Sequence, residues 1–312
     1  MNTRILSTTP LVGRHLVALG ERFPDLLVAP YRSIAWKMAL SSAEAMIVML
    51  SEPLTEGDLE LAPRLKVIGT YSVGVNHLPL DFCRARGIRV VSTPGVLTDA
   101  TADLALALLL AVTRRIAEGE ALVRSGTWKG WAPDQLLGLG LTGKTCGILG
   151  SGPIGRAFAR RVWALGMKPV FWDREGTRHA VDFGAGIARR LPLQDLLAQS
   201  AVLSLHCPLT EATRGLLDRA QLERLPQGAV IINTARGGIL DEEAVMDGLR
   251  AGRLGGIGLD VYEGEPRLNP AWFSAPNAVL LPHLGSATVE TRDAMARILC
   301  DGLAEVLDSA PC

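Results

Sequence analysis

A chain of 312 residues is long enough for two ordinary domains, each able to bury its own core without disulfide or metal support. Hydrophobic residues make up 48% and charged residues 21%, which excludes a disordered or fibrous protein. Lys plus Arg count 32 and Asp plus Glu count 32, so no net field draws the molecule to nucleic acid or to an anionic membrane, and any anionic ligand must be held locally.

The opening MNTRILSTTP has no apolar signal core. From there to about Thr93, short apolar runs at Ile5–Leu6, Ala45–Leu50, Lys66–Tyr71 and Ile88–Val91 alternate with amphipathic stretches such as Thr55–Leu65 and Pro79–Arg86, which is a strand-helix-strand rhythm. Thr98 to Glu120 reads as one long helix, apolar on most of its circumference at Leu104–Val112, and therefore as a core or dimer-forming helix. That run is also the longest apolar one and about half of what spans a bilayer, so no membrane crossing is expected. A second series of apolar strands begins at Lys144: Thr145–Leu149, Val170–Trp172, Ala201–Leu205, Ala229–Asn233, Gly256–Asp260 and Val279–Leu281. Two open parallel sheets are implied, joined by short crossings near Pro94–Thr98 and Gly285–Thr288, with a cleft between them as the natural ligand site. Val289 to Leu307 has helical apolar spacing and closes the fold. The five cysteines, Cys83, Cys146, Cys207, Cys300 and Cys312, form no CxxC pair and read as the reduced thiols of a cytoplasmic protein. No metal-binding cluster is expected.

Gly150, Gly152 and Gly155 stand in GxGxxG spacing between an apolar strand and a helix. Gly150 permits the tight turn, Gly152 lets the backbone approach a pyrophosphate, and Gly155 lets the helix pack close to the strand. Pro153 suits the first helical turn, where its missing N–H is not needed, and with Ile154 it opens the helix whose N-terminus faces the phosphates. Asp173 ends the next strand, 18 residues after Gly155, where a carboxylate accepts hydrogen bonds from both adenosine ribose hydroxyls. The pattern predicts NAD(H) as the preferred cofactor. Arg174 would partly offset the repulsion of a 2′-phosphate, which leaves NADP(H) open as a second one.

Six further segments carry a family resemblance: YSVGVNHLPL (Tyr71 to Leu80), TPGVLTDATADLALALLL (Thr93 to Leu110), WKGWAPDQLLG (Trp128 to Gly138), INTARGG (Ile232 to Gly238), GLDVYEGEP (Gly258 to Pro266) and LPHLGSAT (Leu281 to Thr288). In order and over nearly the whole chain, they resemble the D-isomer-specific 2-hydroxyacid dehydrogenases, most closely the glyoxylate/hydroxypyruvate reductases. The resemblance implies an α/β fold of two doubly wound parallel-sheet domains. Residues 1–97 plus 287–312 would form a flavodoxin-like substrate domain, residues 98–286 a Rossmann NAD(P)-binding domain, with the active site in the cleft. It implies a small 2-keto or 2-hydroxy acid as substrate.

Arg236, Glu265 and His283 match the family's catalytic positions, each just past a strand end. Reduction of a keto acid moves hydride to the carbonyl carbon while the oxygen gathers negative charge, and a proton donor near neutrality must quench it. Imidazolium supplies that proton, Glu265 on the other ring nitrogen fixes the tautomer, and Arg236 offers a planar fork to the substrate carboxylate and carbonyl oxygen. Taken singly, a His after a strand, an exposed Arg and a Glu before Pro are more often structural; the cradle and the ordered motifs turn the balance. Val73 and Gly74 match the loop whose backbone N–H groups meet the substrate carboxylate, and Leu50 matches a small apolar wall. Thr101, Pro208, Ala235 and Asp260 match cofactor contacts, Asp260 near the nicotinamide amide. Asn76 stands where many relatives carry Asp, and no catalytic role falls to His15, His77, His179 or His206.

The Trp128–Gly138 stretch looks like the loop that reaches a neighbouring subunit in the reductases, which implies a homodimer. Asp134 and Gln135 replace the aromatic that a relative can carry at its tip. Alternative substrates within the family are D-lactate, 2-ketogluconate and phosphoglycerate, the last disfavoured because no regulatory domain follows the closing helix. A dinucleotide-sensing corepressor on the same scaffold is the alternative from another class. The neutral chain has no basic patch for nucleic acid.

Overall fold

The computed structural model describes residues 4–10, 13–174 and 179–308; Cys312 lies outside them. The chain divides into two compact units, Met1–Leu97 with Ser286–Cys312, and Thr98–Gly285.

The first unit runs β1 (Ile5–Ser7), α1 (Arg14–Arg22), β2 (Leu27–Val28), α2 (Ile34–Ala39), β3 (Ala45–Val48), α3 (Glu56–Glu60), β4 (Val67–Thr70), α4 (Leu80–Ala85) and β5 (Arg89–Val91). Its strands form one parallel sheet in the order β2-β1-β3-β4-β5. Residues 45–48 and 67–70 are buried on both faces, which is why they read as continuous apolar runs rather than as alternation. One face packs Trp36, Leu40, Leu59 and Ile88; the other packs Leu16 and Leu19 of α1 and Phe23 just after it with the last helix. That helix, α11 (Val289–Asp308), places Met295, Leu299, Leu303 and Leu307 against the sheet, at the spacing that the sequence predicts.

The second unit opens with α5 (Thr98–Thr113) and α6 (Ile116–Arg124). The single helix expected over Thr98–Glu120 is therefore two. Arg115 takes left-handed backbone angles (φ 51°), and the Thr113 carbonyl receives the Leu139 N–H at 2.8 Å instead of continuing the helical ladder. Bonds from Arg115 to both oxygens of Glu118, at 2.6 and 2.7 Å, hold the break. Ala102, Ala105, Leu108, Leu109 and Val112 line the buried side of α5, a one-sided stripe rather than burial all round. They lie over β12, where Gly256 and Gly258 leave no side chain in their way.

The rest of the unit is β6 (Thr145–Leu149), α7 (Pro153–Ala164), β7 (Lys168–Trp172), β8 (Ala180–Asp182), β9 (Ile187–Arg189), α8 (Leu193–Gln199), β10 (Val202–Leu205), α9 (Arg219–Leu222), β11 (Ala229–Asn233), α10 (Glu242–Arg250), β12 (Leu254–Leu259) and β13 (Ala278–Leu280). Six parallel strands follow the order β13-β12-β11-β10-β6-β7, and β8 with β9 forms a separate antiparallel hairpin. The chain moves outward from β6 to β7 and then restarts at β10 on the other side of β6. A ligand crevice lies outside the carboxyl ends at such a reversal. The fold is α/β with two doubly wound parallel sheets. No helix among the described residues is long and apolar enough to cross a membrane, and Cys83, Cys146, Cys207 and Cys300 are buried free thiols.

Candidate active site

At the β6/β10 reversal, Gly150 has φ 106° and its Cα faces the His206 carbonyl so closely that a Cβ would lie 2.7 Å from that oxygen. Gly155 sits in the first turn of α7, where a Cβ would come within 2.1 Å of the Gly150 carbonyl oxygen, whereas at Gly152, the N-cap of α7, a Cβ would meet nothing within 4 Å. The turn is therefore tight on its inner side and open where a pyrophosphate approaches. Pro153 is the first helical residue, followed by half-buried Ile154. The cavity in front of this turn measures about 520 Å3 and is lined by Gly150, Gly152, Asp173, Arg174, Arg190 and Pro208 among others. Its size and donors fit a dinucleotide's adenosine and phosphates.

Asp173 follows β7. Its Oδ1 accepts the Ser151 N–H at 2.6 Å, and its Oδ2 accepts Arg190 Nε at 3.0 Å and Nη2 at 2.7 Å. Burial opposes its charge, but the bonds from Ser151 and Arg190 outweigh burial and hold the carboxyl below its ordinary range. Arg190 was not legible as a pocket residue: it stands 17 positions beyond Asp173 and returns through the β8–β9 hairpin. Arg156, whose Nε donates to the Ser151 carbonyl at 2.7 Å, also lines the cavity, and its place one residue after Gly155 was the available signal. The ring of half-buried His206 is bonded to Ser204 Oγ at 2.8 Å and pushed by its enclosure down to about 3, so it stays neutral.

Three turns follow the carboxyl ends of β11, β12 and β13, which are neighbours in the sheet. They carry Arg236, Glu265 and His283, so residues 29 and 18 apart in sequence end up side by side. His283 Nδ1 lies 2.8 Å from Glu265 Oε2, and Glu265 Oε1 accepts the Tyr262 N–H at 2.8 Å. Burial pushes Glu265 up, but the bonds from His283 and Tyr262 and the charges of His283 and Arg236 hold it below its ordinary value. The half-buried Arg236 guanidinium donates to the Ala235 carbonyl at 2.6 Å; burial pushes it down and the Glu265 charge opposes that. Buried Asn233 clamps this turn, donating from Nδ2 to the Arg236 carbonyl at 2.8 Å and accepting the Ala235 N–H at 2.9 Å.

His283 is held at φ 56°, a conformation that costs a non-glycine residue energy unless its surroundings impose it. They do: its N–H donates to the Asp260 carbonyl at 3.0 Å, and the Asp260 carboxylate accepts the N–H groups of Leu284 and Gly285 at 2.6 and 2.8 Å. Burial pushes the Asp260 carboxyl up, against those two bonds and the His283 charge. Thr101 Oγ1 donates to the Gly285 carbonyl at 2.9 Å, so Thr101 and Asp260 both fasten the histidine turn.

Glu242, which no motif in the sequence singles out, is the other missed residue. Buried at the beginning of α10, it accepts the Glu263 N–H and Trp272 Nε1–H, both at 2.8 Å, and so fixes the turn that carries Glu265. The Gly237 Cα packs directly on that turn, leaving 2.0 Å between a would-be Cβ and the Tyr262 carbonyl carbon. In the first unit, Leu50 lies just past β3, and Val73 (40% exposed) and Gly74 just past β4, also at carboxyl strand ends. Among the described residues no group of three or more His, Cys, Asp and Glu is arranged to hold a metal ion.

A dinucleotide cradle after β6, with an imidazole–carboxylate pair after β12 and β13 at the same carboxyl edge of the sheet, defines the class of nicotinamide-dependent oxidoreductases. A family model described as D-isomer specific 2-hydroxyacid dehydrogenase, NAD binding domain, matches residues 106–285. A glyoxylate reductase of Thermococcus litoralis is 42% identical over 280 residues, covering 88% of this chain and 83% of its own. A glycerate dehydrogenase of Hyphomicrobium methylovorum is 40% identical over 256 residues, covering 82% and 80%. The solved structure of an NADPH-dependent glyoxylate/hydroxypyruvate reductase from Sinorhizobium meliloti, in complex with NADP and malonate, superposes with a TM-score of 0.85 at 31% identity over 99% of this chain and 95% of that one. The chain belongs to the D-isomer-specific 2-hydroxyacid dehydrogenase family.

Proposed function

We propose that this protein reduces small 2-keto acids, glyoxylate and hydroxypyruvate first among them, to D-2-hydroxy acids, with NAD(H) preferred and NADP(H) accepted. The observation that carries the reading is the 2.8 Å His283–Glu265 contact beside a half-buried Arg236. The dihydronicotinamide supplies the hydride when bound. Arg236 pairs its fork with the substrate carboxylate and steadies the negative charge growing on the carbonyl oxygen. His283 gives that oxygen a proton from Nε2, because Glu265 occupies Nδ1 and keeps the donor face toward the substrate. Asp260 and Thr101 serve the same end by holding the histidine turn. Thr101, Gly150, Gly152, Pro153, Ile154, Gly155, Asp173, Arg174, Pro208, Ala235 and Asp260 serve the cofactor, and Leu50, Val73 and Gly74 are the substrate contacts of the first unit.

NADH oxidation against glyoxylate, hydroxypyruvate, pyruvate, 2-ketogluconate and phosphohydroxypyruvate tests the assignment; faster turnover of any of the last three moves the substrate elsewhere in the family. His283→Ala should lower kcat far more than it weakens NADH binding, and unchanged kcat would remove the proton donor. We further infer a cytoplasmic homodimer. Trp131 (82% exposed), Leu137 (69%) and Trp128 (52%) support a partner over the 127–138 segment. Sedimentation as a monomer at working concentration would overturn that.

A further inference from the structure

Resting on the dinucleotide reading above, we propose that Arg190 is the residue that sets the balance between NADH and NADPH, by moving its guanidinium fork from Asp173 to the 2′-phosphate.

An ionised carboxylate offers about four acceptor positions, two on each oxygen. Asp173 already gives one on Oδ1 to Ser151 and both on Oδ2 to Arg190. At most one position is left for the adenosine ribose, and the Ser151 hydroxyl competes for it, so the carboxylate cannot take the pair of hydroxyls that the sequence motif alone suggests. Its charge is also neutralised in place by a partner with only 16% of its side chain exposed, against 21% for Asp173. Both features that make an acid at this position reject NADPH, the bidentate ribose grip and the bare negative charge, are weakened together.

Arg190 is built in as firmly as the carboxylate. Its N–H donates to the His179 carbonyl at 2.9 Å, its backbone bridges Phe171 in parallel fashion, and the next N–H, of Leu191, donates to the Phe171 carbonyl at 2.8 Å. The segment after β9 thus fills the edge beside β7, and its one long side chain inside the cavity reaches the place where the ribose 2′-position must lie if Asp173 receives the ribose. A guanidinium meets phosphate in the same two-point geometry it uses on a carboxylate, so the exchange needs rotation of one side chain and no backbone movement. Arg156 and Arg174 line the same cavity as Asp173 and Arg190.

The test measures binding directly, by energy transfer from protein tryptophan to bound NADH or NADPH and by displacement with 5′-ADP or 2′,5′-ADP. Arg190→Gln should weaken NADPH and 2′,5′-ADP by at least about tenfold, what one charge-assisted bond is worth, and NADH and 5′-ADP by less than about threefold. Asp173→Asn should tighten NADPH about tenfold by releasing the fork, and that gain should vanish in the Asp173→Asn/Arg190→Gln double variant. The double cycle keeps the question open to refutation should Arg190→Gln alone fail to fold. An NADPH-to-NADH ratio unchanged within about twofold in Arg190→Gln, or a gain in Asp173→Asn that survives loss of Arg190, overturns the proposal. Wild-type protein that binds neither dinucleotide overturns the underlying reading and the proposal with it.

Discussion

Replacing Glu265 by Gln isolates the charge of the pair from its shape. The carboxylate accepts from two donors, His283 Nδ1 and the Tyr262 N–H, both at 2.8 Å. A carboxamide has one acceptor oxygen, so one of these donors must face an NH2 group, and the bond from imidazolium loses the carboxylate's share of the charge assistance. Charge-assisted bonds are worth about 1.5–3 kcal/mol and neutral ones about 0.5–1.5, a difference of about 1–2 kcal/mol. With the two side chains 27% and 25% exposed, solvent screening places this pair at the lower end. At about 1.36 kcal/mol per pH unit, the loss moves proton release from the pair down by about one pH unit. Reduction needs the protonated pair, so kcat/KM falls as pH rises past that release. The expected result is a falling limb displaced to lower pH by about one unit relative to wild type. Steady-state kcat/KM for glyoxylate at saturating NADH across pH 5–9 reads it out. Parallel profiles, with one ratio at every pH, would refute the role of the carboxylate charge and leave Glu265 a spacer.

Glu242→Ala strands the buried Trp272 Nε1–H and removes the acceptor of the Glu263 N–H, and at about 1–3 kcal/mol for the stranded donor should lower unfolding free energy by about that amount in a urea titration, with kcat falling alongside; a loss below about 0.5 kcal/mol would contradict the clamp. Gly155→Ala drives a Cβ into the Gly150 carbonyl and should weaken NADH binding by more than about tenfold in a fluorescence titration while the far-ultraviolet spectrum stays native; equal affinity would mean the turn yields freely. Glu265 and Asp173 titrate below their ordinary values in the folded chain, so each adds stability that is present above the unfolded value near pH 4 and is lost as pH falls through the folded one. Urea midpoints measured from pH 6 to pH 3 should drop below about pH 4, and Glu265→Gln should flatten that drop.

Features that depend on neighbours in sequence were legible. The glycine turn, the apolar runs of β6, β10, β11 and β12 and the carboxylate ending β7 are all specified within a few residues, and each lies where the pattern puts it. The break in the helix after Thr113 was not, because the residue that takes the Thr113 carbonyl is Leu139, 26 positions on. Arg190 and Glu242 escaped for the same reason. Each looks like an ordinary surface charge until the hairpin returns one to Asp173 and Trp272 closes over the other. Short β2 and the β8–β9 hairpin carry two or three residues apiece, too few for a period of two to declare itself.

The first unit is made from the two ends of the chain, and α11 covers one side of its sheet with Met295, Leu299, Leu303 and Leu307. A ribosome adding about 5–20 residues per second needs roughly 10–40 s to make the intervening 98–285 segment. Throughout that interval the early strands carry an apolar surface whose cover has yet to be synthesised, while the inserted unit can complete itself without waiting. Order of birth therefore runs from the middle outward, and shielding of nascent chains by a holding chaperone should matter for the yield of the amino-terminal part far more than for the nucleotide-binding one.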